Sequence, residues 1–190
     1  MDARKELFGY RDFPARRRFM KLTGAWCASL VFMGKAGALP KPANSRTLSF
    51  VHTHTGETLR ARYFESGQYC ADSLGQVSYL LRDFRTGDIR SIDPSLLDIL
   101  FDLQVMADRH APFEVISGYR SPATNAMLRR GSDGVAPHSM HLLGRAIDVR
   151  LQGYSTAKVA QFARTMGRGG VGLYPSSDFV HVDTGRVRFW

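Results

Sequence analysis

Between Arg145 and Leu151 the chain alternates: Ile147, Val149 and Leu151 fall on one face of an extended segment, and Ala146, Asp148 and Arg150 on the other. Asp148 sits between two branched apolar residues in a strand of this kind, so it lies near the core. An unpaired carboxylate is too costly to keep there. The fold must therefore bring it a partner from another part of the chain. His141, seven residues earlier in Ser139-Met140-His141-Leu142-Leu143-Gly144-Arg145-Ala146-Ile147-Asp148, stands at the mouth of a turn leading into this strand. A second acidic–histidine unit, Asp178-Phe179-Val180-His181-Val182-Asp183, is also strand-like and also sets polar groups among apolar ones.

The rest of the chain supplies the scaffold. With 190 residues, 44% of them hydrophobic and 23% charged, the composition fits one domain with a real core and excludes a collagen, a coiled coil, a disulfide scaffold or a wholly disordered tail. Residues 39–46 are a Pro-rich linker, and the domain is expected over 47–190. Leu48–His54 and Thr58–Phe64 read as a hairpin around Thr55-Gly56-Glu57. Leu74, Val77, Leu80, Leu81 and Phe84 have helical spacing, with Gly87 as a stop. Asp93-Pro94 is an N-cap followed by proline at the first helical position, and Leu96, Leu97, Leu100, Leu103 and Met106 continue the buried face. Phe113–Ser117 is a strand, 121–130 a short helix, and Ser155 caps a helix running to Met166. Gly170–Tyr174 and Phe179–Asp183 are the last strands. The expected class is α+β, a single domain with a central antiparallel sheet flanked by helices.

The formal net charge of +9 is uneven: residues 1–38 hold eight basic side chains and three acidic ones, which leaves +4 for the remainder. That remainder has no basic stripe interleaved with aromatics, which argues against a nucleic-acid partner. Arg16, Arg17 and Arg18 precede Phe19-Met20-Lys21, a modest apolar run from Leu22 to Gly34, and the small-residue pattern Ala36-Gly37-Ala38. Together these describe an export signal, too short for a membrane span of roughly 20 residues. The Arg-Arg-Phe-Met-Lys order resembles the twin-arginine consensus, so residues 1–38 are expected to direct export to the periplasm through the Tat translocase, touching the membrane only in transit. Trp26 before Cys27 argues against lipidation. Without the signal only Cys70 remains, so no internal disulfide can form.

Two imidazoles and a carboxylate make a three-ligand set suited to catalytic zinc, with a fourth position left for water. Spacing alone leaves a metal site and an ordinary hydrogen-bonded network equally open. The ordered motifs are more specific. The S-x-H-x-x-G-x-A-x-D pattern, D-x-x-H after it and Ser117-Gly118-Tyr119-Arg120-Ser121 before it resemble the zinc D-Ala-D-Ala peptidase superfamily, and within it the YcbK-like (MepK) murein endopeptidase branch. The likeness covers 47–190, including the Thr55-Gly56-Glu57 hairpin, Leu81-Arg82-Asp83 and the Asp93-Pro94 helix start.

That resemblance implies a hedgehog/DD-peptidase-like fold and a zinc ion on His141, Asp148 and His181. It also implies Asp178 as the acid/base and Arg120 as a cation for the oxyanion or a substrate carboxylate. Peptidoglycan peptide stems are the implied substrate. A carboxypeptidase trimming terminal D-amino acids, or a wall-binding module that keeps the metal as a clip, are the competing functions. Asp183, two residues beyond His181, is a candidate to orient that imidazole, with a surface strand-end carboxylate as the alternative. His138 reads as a solvated or cleft-rim group, His52 and His54 as the polar face of the hairpin, and His110 as a helix-terminal cation. Tyr119 and Tyr174 are packing residues or border the cleft.

Overall fold

The computed structural model describes residues 44–108, 110–131 and 134–190. The export signal expected over 1–38 lies outside the described residues. In chain order the described elements are β1 (Ser45–His52), β2 (Thr58–Glu65), β3 (Gln68–Tyr69), α1 (Ala71–Leu80), α2 (Pro94–Met106), β4 (Phe113–Ser117), α3 (Pro122–Gly131), β5 (Ala146–Leu151), α4 (Thr156–Met166), β6 (Gly170–Tyr174), β7 (Phe179–Asp183) and β8 (Arg188–Phe189). Short 3-10 turns at Met140–Leu143 and Pro175–Ser177 precede β5 and β7. β1 begins at Ser45, so the last two residues of the expected linker are strand.

The strands form one sheet in the order β3-β2-β1-β4-β5-β7-β6-β8. The class is α+β, as expected, but the sheet is mixed. β1 pairs parallel to β4 and β6 parallel to β8, while the other pairs are antiparallel. The parallel β1–β4 pair is the product of the long α1–α2 crossover, since parallel neighbours need such a connection.

Local chemistry accounts for the helix ends. The Asp93 carboxylate accepts from Ser95 N at 2.9 Å, and Pro94 follows at the first position, a cap worth about 1 kcal/mol. Ser155 caps α4 by accepting from Lys158 N. Helix α1 stops at Leu80, four residues short of Phe84, because Leu81 leaves helical geometry and its carbonyl accepts from Tyr119 N at 2.8 Å.

Register divides the sheet into two faces. Ile147 pairs with Val182 and Val149 with Val180, and Val171 and Leu173 continue those rows on β6. These residues join Val159, Ala160 and Ala163 of α4 and Leu96, Leu97, Leu100 and Leu103 of α2 in the core. The row between them runs Ser117–Asp148–His181–Gly172 across β4, β5, β7 and β6, on the face away from that core. Both faces of β5 are buried there, and the polar row forms the floor of the site.

Two histidines differ from expectation. His52 is fully buried, on the same face as Leu48 and Phe50, and its ring lies 5.5 Å from that of Phe84. Only His54 is exposed on the hairpin, stacked on Phe84 at 4.3 Å. His110 lies beyond α2, which ends at Met106, and its Nδ1 is 2.8 Å from Gln104 Nε2. Among the described residues no helix is long and apolar enough to cross a membrane.

Candidate metal centre

His141, Asp148 and His181 come together as the sequence suggests, each buried. His141 enters from the 3-10 turn, whose cap Ser139 accepts from the His141 N–H and whose end, Gly144, takes the left-handed conformation at φ +67°. Asp148 and His181 are direct cross-strand partners. The contacts are 3.2 Å from His141 Nε2 to Asp148 Oδ1, 3.2 Å from His141 Nε2 to His181 Nδ1, and 2.9 Å from His181 Nδ1 to Asp148 Oδ1.

The outer partners fix which atoms face inward. His141 Nδ1 lies 2.6 Å from the Gly118 carbonyl, which can only accept, so Nδ1 carries the proton and Nε2 offers a lone pair. Asp183, buried at the end of β7, accepts from His181 Nε2 at 3.0 Å and leaves Nδ1 as the inward atom. Arg188 in turn holds Asp183 through contacts of 2.6 and 3.1 Å. Asp148 gives Oδ2 to Arg120 at 2.5 Å and keeps Oδ1 for the centre. Three lone-pair atoms thus converge, and neutral imidazoles have no proton left to place between them. A cation resolves that arrangement.

The spacing suits one. Donors about 2.1 Å from a tetrahedral zinc stand about 3.4 Å apart, within about half an ångström of the distances seen here. Electrostatics point the same way. Burial pushes the Asp148 carboxyl up, but with no metal present a protonated imidazole at His141 or His181, by its charge and its hydrogen bond, outweighs it and holds the group well below the usual range. Burial lowers His141. Burial acts likewise on His181, yet its hydrogen bonds to Asp148 and Asp183 prevail and raise it. Without a metal, a proton on His181 is the cation this cluster attracts.

The cluster floors a cavity of about 430 Å³, walled by Arg120, His138, Tyr174, Phe179, Arg188 and Trp190 among others. Arg120 is therefore present, but its guanidinium is committed to Asp148 and, through Nε at 3.0 Å, to the Ser117 hydroxyl. It holds Asp148 in place rather than standing free for an oxyanion. Asp178 is placed differently. It follows the Pro175–Ser177 turn in left-handed conformation at φ +48°. Its carboxylate, 65% exposed, pairs with Arg150 at 3.1 Å and accepts from Thr156 at 3.1 Å. Ser177 and Phe179 line the cavity, while Asp178 is not among its walls.

Three contributors have no role assigned from the sequence, although Gly118 and Asp83 fall in the motifs quoted above. Gly118 must lack a side chain, because a Cβ there would sit 2.5 Å from the Leu81 carbonyl oxygen. Asp83 accepts from Ser121 N at 2.9 Å and ties down the segment carrying Gly118 and Arg120. Trp190 forms a wall just past a two-residue strand with no periodicity to reveal it.

The chain matches the family described as peptidoglycan L,D-endopeptidase MepK over residues 41–190. It is 38% identical to the peptidoglycan L,D-endopeptidase MepK of Escherichia coli (strain K12) over 175 residues, 92% of this chain and 96% of the relative. It is 39% identical to the probable peptidoglycan L,D-endopeptidase MepK of Haemophilus influenzae over 176 residues, 92% and 95% of the two chains. With the His141–Asp148–His181 centre set in a fold that this family match spans almost end to end, the chain belongs to the peptidoglycan L,D-endopeptidase MepK family.

Proposed function

We propose that this protein is a zinc-dependent murein endopeptidase that hydrolyses peptide crosslinks of peptidoglycan, working in the periplasm after export through the Tat pathway. The observation that carries the proposal is the convergence of three outward-anchored lone pairs on the floor of an open cavity. Two imidazoles and one carboxylate leave a coordination position free, the mark of a catalytic rather than a structural site. The family membership selects the substrate class.

His141, Asp148 and His181 would hold the zinc, and once bound it supplies an activated water and a polarised carbonyl. The chain's own residues do the positioning. Gly118 and Asp183 orient the two imidazoles through their outer nitrogens. Arg120 pins Asp148 by its outer oxygen and Ser117 pins Arg120, so the carboxylate cannot swing away from the imidazoles. The acid–base role expected of Asp178 requires its carboxylate to leave Arg150 and Thr156 and turn into the cavity. An exposed ion pair is worth only about 0–1 kcal/mol, so that rotation is energetically open, but the geometry supports it less than it supports the metal set.

The test is product analysis. Zinc-loaded protein incubated with crosslinked muropeptide dimers should yield monomers by mass spectrometry, and His181→Ala should yield none. Release of single terminal amino acids with dimers intact would establish the carboxypeptidase alternative. Intact dimers and no released residue would leave a wall-binding module.

A further inference from the structure

β8 returns the chain over β6, and Trp190 continues the pairing: its N–H donates to the Val171 carbonyl at 3.2 Å and its carbonyl accepts from Leu173 N at 3.0 Å. This fixes the indole above Gly172, on the same row of the sheet as His181 and Asp148. The absence of a side chain at Gly172 makes the seat, since a Cβ there would come within 2.5 Å of the indole Cε2. The indole N–H donates to the Tyr174 hydroxyl at 2.8 Å, and Tyr174 stacks on Phe179 at 4.6 Å. The Trp190 ring also lies 5.3 Å from the His181 ring, and the Arg188 guanidinium packs 4.9 Å from it. Every polar atom of the indole is thus satisfied, yet the residue remains 45% exposed and faces the cavity. A large apolar surface held this rigidly loses little entropy when something is laid on it.

Building on the peptidase reading above, we propose that Trp190 and Tyr174 form an aromatic shelf that seats the amino-acid residue next to the scissile bond of the murein peptide. The contact between Trp190 and His181 selects the occupant. A group lying on the shelf is beside the metal ligands, hence within about a residue of the bond cut. That bond is an amide within the peptide, so the shelf takes peptide and not glycan. Tyr174 holds the indole plane through its hydroxyl, and Gly172 sets the height of the shelf.

The chain has two tryptophans, so Trp26→Phe in the full-length protein leaves Trp190 as the sole indole reporter. Zinc-loaded protein is titrated with a synthetic murein stem tetrapeptide lacking sugar and, separately, with the murein disaccharide lacking peptide. Indole emission should change saturably with the tetrapeptide and stay flat with the disaccharide. Trp190→Phe should raise KM about tenfold with kcat within about threefold and zinc content unchanged. Tyr174→Phe, which keeps its ring, should raise KM less. Hydrolysis of crosslinks with no emission response to the tetrapeptide would overturn the shelf alone. So would a saturating response to the disaccharide, or a Trp190→Phe protein that loses zinc with KM unchanged. Failure of the unaltered protein to hydrolyse any crosslink would instead overturn the peptidase reading, and the shelf's occupant with it.

Discussion

Asp83→Asn should weaken the fold by an amount that depends on pH in a specific way. Asp83 is buried and accepts from the backbone N–H groups of Ser121, at 2.9 Å, and Arg85, at 3.0 Å. Burial alone would raise its pKa, but the hydrogen bonds from Thr124, Ser121 and Arg85 outweigh it and bring it down to about 2 from 3.8. That difference corresponds to about 2 kcal/mol of stability. Because the folded-state value lies below the unfolded one, the contribution is complete above about pH 4 and is lost as pH falls through about 2. The asparagine keeps the shape, removes the charge and turns an amide towards an N–H that needs an acceptor. Urea denaturation of zinc-loaded wild-type and variant at pH 7 should show a gap of about 2 kcal/mol, a shift of about 1 M in midpoint. Repeating the pair at lower pH cancels the titration of shared groups, and the gap should close between pH 4 and pH 2. A gap below about 0.5 kcal/mol at pH 7, or one that stays constant into acid, would refute the reasoning.

Other perturbations separate the roles around the centre. Arg120→Lys cannot serve Ser117 and Asp148 together, so zinc affinity measured by chelator competition should fall about 10–100-fold; unchanged affinity would contradict the anchoring role. Asp178→Asn should keep crosslink hydrolysis within about tenfold of wild type, because its carboxylate serves Arg150 and Thr156; a loss of about 10²–10⁴ with zinc retained would establish it as the acid/base. Replacing Arg17 and Arg18 with lysines should strand precursor in the cytoplasm on cell fractionation, because the export receptor reads guanidinium groups rather than charge; normal export would contradict Tat recognition.

What the sequence discloses, and what it hides, follows from the range of each interaction. Asp93-Pro94 and Ser155 announce their helices because a cap is settled within three residues. The alternation around Asp148 and the Asp178–Asp183 unit reveal the strands that carry two of the three converging donors, since buried polar groups among branched apolar ones demand partners. Asp183 resolves in favour of the buried partner of His181, not a surface carboxylate. The parallel pairings and β8 depend on contacts distant in sequence, and a two-residue strand has no period. Phe84 fits a helical pattern but sits beyond α1, where it packs against His52 and His54 instead. The direction of the Asp178 side chain turns on one left-handed φ, which no spacing rule encodes. Asp83 and Gly118 act through backbone groups of a neighbouring segment, so their importance to the site becomes visible only when Leu81, Ser121 and His141 are together in space.

The central claim is that His141, Asp148 and His181 together hold one catalytic zinc, and metal content after gel filtration tests it most directly. Wild-type protein loaded with zinc and freed of excess should carry one zinc per chain. His141→Ala and His181→Ala should carry none, since each loss leaves only two of the three converging donors. Circular dichroism on the same samples verifies that the variants are folded. Full zinc content in a folded His141→Ala protein would contradict the assignment.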